Sequence, residues 1–114
     1  MPDYQQKLAQ VAKLLLEKTK TGEIKWETTS QERAFQTSLS DYSVMIAEEF
    51  EQGPDEYYRV LRIFNEAGRM IDEMFEGQAR SGGFGGMRDL FELARRDAMG
   101  VEKAVEDILD FLKK

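Results

Sequence analysis

Cysteine and histidine are both absent from this chain of 114 residues, tryptophan occurs once and proline twice. Without thiol or imidazole there is no thiolate nucleophile, no imidazole base, no Ser-His-Asp triad and no zinc site of the Cys/His kind. The chain therefore reads as a non-enzyme with no cofactor and no metal. Long apolar runs are missing too: nowhere do ten apolar residues stand together, so neither a signal peptide nor a membrane span is expected. A small secreted domain of this class often relies on disulfides, and their absence favours a cytoplasmic location. Basic charge is in deficit, with 16 Lys and Arg against 22 Asp and Glu for a net charge of −6. Nucleic acid binding normally shows a basic face, so no nucleic acid partner is expected.

What is present suits one domain, residues 1–114, large enough to bury a core unaided. The charge is uneven: residues 1–22 carry +2, residues 23–76 carry −8 and residues 77–114 are neutral. The densest acid, Glu48, Glu49, Glu51, Asp55 and Glu56, surrounds Gly53-Pro54 and reads as a solvated loop. It lacks the Asp-x-Asp-x-Asp-Gly spacing of a calcium loop. Its alternative role is to dock a basic partner, as an acidic inhibitor or immunity-type protein would.

The hydropathy period organises the chain. Asp3 and Gln6 resemble a capping box, and Tyr4, Leu8, Val11 and Leu15 follow at spacings of four, three and four, which predicts a helix over 1–22 closed by Gly22. Residues 23–76 then alternate with period two. Glu23–Thr28, Ala34–Leu39, Tyr42–Ala47, Tyr57–Phe64 and Arg69–Phe75 read as strands, and the short connections Ser40-Asp41 and Asn65-Glu66-Ala67-Gly68 force antiparallel neighbours. Residues 77–86 hold five glycines and read as a flexible connection. Beyond them Met87, Phe91, Ala94, Ala98, Val101, Val105, Ile108 and Leu112 recur at spacings of four and three. That predicts one long helix over 87–114, with its apolar stripe continuous for about 39 Å at 1.5 Å per residue. Gly100 inside it is expected to allow close packing. The fold class is α+β: an N-terminal helix, a four- to five-stranded antiparallel meander and a long C-terminal helix, with both helices on one sheet face.

A glycine-rich loop entering a helix is a geometry that cradles phosphate, and Arg80, Ser81, Gly85 and Gly86 are the candidate ligands for a small anion in a regulatory role. Gly86 is followed by Met87-Arg88 rather than by the Lys-Ser or Lys-Thr of a Walker loop. Asp72, Glu73 and Glu76 read as surface carboxylates rather than a catalytic pair. On the last helix Arg88, Arg95, Arg96 and Lys103 alternate with acids, which makes a salt-bridged face rather than a phosphate grip. Trp26 is expected to pack beneath a helix, with ligand stacking as the alternative.

The order Leu14-Leu15, Thr19-x-x-Gly22-x-Ile24-x-Trp26-x-x-Thr29, Phe35, Tyr42-Ser43-Val44-x-Ile46, a strand-turn-strand with Gly68, and Leu93-Ala94-Arg95-Arg96-x-Ala98-x-Gly100-Val101 resembles small stand-alone bacterial proteins of unknown function. The resemblance implies the same layout of helix, meander and long helix. It brings no catalytic residues.

The strands Tyr57–Phe64 and Arg69–Phe75 are apolar on both sides, and two helices cover only one side. The excess predicts an interface built from Tyr57, Tyr58, Arg59, Val60, Leu61, Arg62, Ile63, Met70 and Met74, with the arginines at its rim. The partner is a second copy, giving a homodimer, or another protein. The function expected is thus a non-enzymatic interaction or accessory module with neither nucleic acid nor membrane as its partner.

Overall fold

A computed structural model describes residues 4–114 of the chain, so Asp3 and its predicted capping box lie outside the described residues. Helix α1 (Tyr4–Lys20) leads into five strands, β1 (Glu27–Thr28), β2 (Ala34–Leu39), β3 (Tyr42–Glu51), β4 (Glu56–Phe64) and β5 (Met70–Phe75), followed by α2 (Glu76–Ser81), α3 (Met87–Ala98) and α4 (Val101–Leu112). The strands lie in the order β1-β2-β3-β4-β5, each antiparallel to the next. This is the α+β meander that the period-two stretch predicts.

The turns follow from local chemistry. Helix α1 ends in a Schellman pattern: the Glu23 amide donates to the Lys18 carbonyl at 3.0 Å and the Gly22 amide to the Thr19 carbonyl at 3.2 Å, with Gly22 at φ +81°. Between β4 and β5 the Gly68 amide donates to the Asn65 carbonyl at 2.9 Å, and Gly68 sits at φ +82°. That is the expected type I turn closed by a left-handed glycine.

One face of the sheet carries the core. Phe35, Val44, Ile46, Leu61 and Met74 meet Leu8, Ala12, Leu15, Met87, Leu90, Phe91 and Ala94, with Trp26 and Phe84 filling the space between. Phe35 and Phe91 pack with ring centroids 5.7 Å apart. Within α1 the buried stripe is Leu8, Ala9, Ala12 and Leu15, whereas Tyr4 and Val11 are exposed. The periodicity picked the larger residues, but the two alanines let α1 approach its neighbours most closely.

Three expectations change. The strand over 23–28 shrinks to Glu27–Thr28, because the Trp26 amide leaves the ladder and donates to the Asp97 carboxylate of α3 at 2.6 Å. The segment 77–86 is not a flexible connection. Residues Glu76–Ser81 are helical, Ala79 and Phe84 are buried, and a Cβ at Gly82 would lie 2.9 Å from the Gln5 carbonyl oxygen. Its glycines permit contact rather than motion. Finally, the helix over 87–114 breaks at Gly100, which adopts φ +62° and precedes α4 as its N-cap. No atom lies within 4 Å of a Cβ built there, so Gly100 serves the left-handed turn and not close packing.

Candidate interaction surface

The residues predicted for an interface on β4 and β5 divide between the two faces of the sheet and are largely consumed by the monomer. Leu61 and Met74 lie in the core beneath the helices and Ile63 packs against it, while Val60 is buried in a small cluster with Ala34 and Ala47 on the opposite face. Only Tyr57 and Met70 of the set are strongly exposed, and Tyr58 is half-buried. The expected patch is not there as drawn, because alternation sends Leu61, Ile63 and Met74 into the core and Val60 is covered by Ala34, Ala47 and Met45.

The two arginines stand within ion-pair networks rather than at a rim. Arg59, on the helix side, donates to Glu48 at 3.1 Å and to Glu76 at 3.0 Å, and the side chains of all three are largely buried. Arg33 joins by pairing with Glu48, its guanidinium 5.0 Å from the Tyr57 ring centre. On the other face Arg62 donates to Glu49 and to Glu73, each at 3.1 Å, while the Tyr58 hydroxyl donates to Glu49 at 2.9 Å. The Arg62 hydrogen bond holds the Glu49 carboxyl below the ordinary carboxylate range, partial burial opposing it and the Tyr58 hydroxyl adding to it. The same carboxylate pushes the Tyr58 hydroxyl up.

These pairs correct the reading of the acidic stretch. Glu48, Glu49 and Glu51 belong to β3 and Glu56 opens β4, so of the five only Asp55 lies in the turn. Glu73 and Glu76 are likewise ion-paired, and Asp72 accepts a hydrogen bond from the Tyr4 hydroxyl, so none of the three is an ordinary solvated carboxylate. Among the described residues no group of three or more acids is placed to hold a metal ion.

The anion candidates lie on either side of the connection from α2 to α3. Arg80 reaches toward Glu76 at 3.8 Å and Ser81 ends the six-residue α2. A Cβ at Gly85 would meet no atom within 4 Å, while one at Gly86 would strike the ring of Phe84. Trp26 is buried and its indole N–H donates to the Thr19 hydroxyl at 2.9 Å, which makes it a core residue rather than a stacking platform. Within α3 Glu92 pairs with Arg95, and within α4 Lys103 pairs with Asp107.

The surface that stands out is α4. Its sequence, Val101-Glu-Lys-Ala-Val-Glu-Asp-Ile-Leu-Asp-Phe-Leu112, sets Val101, Ala104, Val105, Ile108, Leu109, Phe111 and Leu112 on one side. At 100° per residue those seven span an arc of about 160°, with every charged residue on the remainder. Yet no residue of α4 is buried. Phe111 is 74% exposed, Leu112 70% and Ile108 58%. Its principal neighbour is the end of α3, and it extends a body whose longest dimension reaches 60 Å. No helix among the described residues is long and apolar enough to cross a membrane.

Comparison with protein-family models, with curated proteins and with solved structures finds no match. The resemblance to small bacterial proteins therefore rests on the residues quoted for it. Sequence reasoning placed the α4 side chains correctly on one stripe but assigned that stripe to the core. The signal for this is Gly100, which the spacing assigns to close packing but which separates two helices of 12 residues each.

Proposed function

We propose that this protein is a non-enzymatic interaction module of the cytoplasm that associates with further copies of itself through α4. The observation that carries the reading is an amphipathic helix whose apolar side is open to water from Ala104 to Leu112. Soluble chains seldom maintain a contiguous exposed apolar patch without a use for it. A helix of 12 residues is also marginal in water by itself. Covering its apolar side supplies the stability that its own backbone lacks.

Two further features support the module over a catalyst. The chain contains no histidine or cysteine, and Glu48, Glu49, Glu73 and Glu76 are engaged by Arg59 and Arg62. Sedimentation velocity of the full chain tests the reading. The wild type should sediment as a multiple of 13.2 kDa at micromolar concentration. Ile108→Glu should sediment as a monomer with the same far-UV circular dichroism from the sheet. Equal masses for the two proteins would refute self-association through α4.

A further inference from the structure

Resting on that reading, we infer that the α4 helices of four copies assemble into an antiparallel four-helix bundle, with the α+β bodies outside it. The width of the apolar arc leads to this number. A coiled-coil pair needs only the narrow seam made by the first and fourth positions of a heptad. In α4 the positions Val101, Ala104, Val105, Ile108, Phe111 and Leu112 fill the first, fourth and fifth places of two heptads, and Leu109 widens the face further. That three-position pattern is the one a helix presents to a bundle core.

Area gives the same answer. Val105, Ile108, Leu109, Phe111 and Leu112 are between 47% and 74% exposed. Together they show about 550 Å² of apolar surface at ordinary side-chain sizes. One facing helix would cover about two thirds of it, so a pair would bury roughly 700 Å² in total, below the ~1,000 Å² that a specific interface needs. In a bundle of four each helix buries the whole arc, about 550 Å² per copy against about 370 Å² per copy in a pair, so the third of the face that a pair leaves in water is covered. Four copies in dihedral symmetry are also the commonest closed assembly after the twofold dimer.

Charge sets the direction. Glu102 opens α4 and Lys113 follows its last turn, and both flank the apolar arc on the same side, beside Leu109. An antiparallel neighbour sets its Lys113 opposite Glu102, and the reverse, whereas a parallel neighbour sets each group level with its own kind. Opposed helix dipoles favour the same arrangement. The polar side of α4 carries Glu102, Glu106, Asp107 and Asp110 against Lys103, Lys113 and Lys114. Such a face is nearly neutral toward another copy. It lacks the lysine-rich character of helices that settle on anionic lipid.

Sedimentation with light scattering on the full chain tests the number, and cross-linking tests the direction. The wild type should weigh about four times 13.2 kDa across the micromolar range. A particle of twice that mass would overturn the bundle while leaving self-association standing. A monomer at every concentration would overturn both and assign α4 to an outside partner. Because the chain has no native cysteine, Glu102→Cys and Lys113→Cys can each be made without background. Mixed and oxidised, the two variants should yield chiefly the 102-to-113 cross-link. A predominance of 102-to-102 product would overturn the antiparallel arrangement. Leu112→Glu supplies an independent check at the far end of the helix and should abolish the assembly while leaving the sheet intact.

Discussion

Replacing Gly82 by alanine tests the idea that the glycine-rich segment is a packed joint. The added Cβ would lie 2.9 Å from the carbonyl oxygen of Gln5 and 3.1 Å from the Cβ of Ala9, both on α1. The first is a backbone atom, and it cannot rotate away. Its helix is tied to the same joint by the Gln5 side chain, which donates to the Gln78 carbonyl at 2.7 Å. Relief requires α1 to move by a few tenths of an ångström from Ala79, Phe84 and Met87, all buried against it or beside it. Overpacking of this kind costs about 1–3 kcal/mol. Gly85, three residues on, has no atom within 4 Å of a Cβ, so Gly85→Ala should be neutral or stabilise by about 0.4–1 kcal/mol through the unfolded chain. Urea unfolding followed by far-UV circular dichroism, at one protein concentration for all three proteins, measures the difference. A lower midpoint for Gly82→Ala alone, with an unchanged slope, is the expected result. If the two variants agree within about 0.5 kcal/mol, the segment is a loose tether after all, because an added methyl at Gly82 then strikes nothing.

Arg59 offers a second test: with Glu48 and Glu76 largely buried beside it, Arg59→Leu should cost about 3–5 kcal/mol by urea unfolding, and adding Glu48→Gln and Glu76→Gln should recover part of that loss. Glu49 predicts a pH dependence. Its carboxyl is lowered in the fold chiefly by Arg62, so its contribution is present above the ordinary carboxylate range near pH 4.5 and fades as the pH falls through the depressed folded value. Glu49→Gln should therefore lose stability against wild type at pH 7 and match it more closely at pH 3. A gap that is equal at both pH values would show that the Arg62 pair contributes nothing to folding.

Most of the architecture was legible in the residues themselves. Period two through 34–39, 42–47, 57–64 and 69–75 marked four strands, and the Asn65–Gly68 turn and Gly22 marked their own geometry, because each is decided by side chains within a few positions of it. What lay outside such local reasoning was everything set by distant neighbours. Trp26 leaves its strand for Asp97, 71 residues away, and Arg59 pairs with Glu76 just beyond the end of the neighbouring strand. The apolar stripe from Met87 to Leu112 is equally regular on both sides of Gly100, yet only the first half is buried. Spacing states which side chains share a face but carries no information on whether anything covers that face. Coverage depends on how much surface the sheet and the other helices have left to offer. Here α1 and α3 complete the core, and the sequence that made α4 amphipathic leaves the tertiary structure to turn it outward.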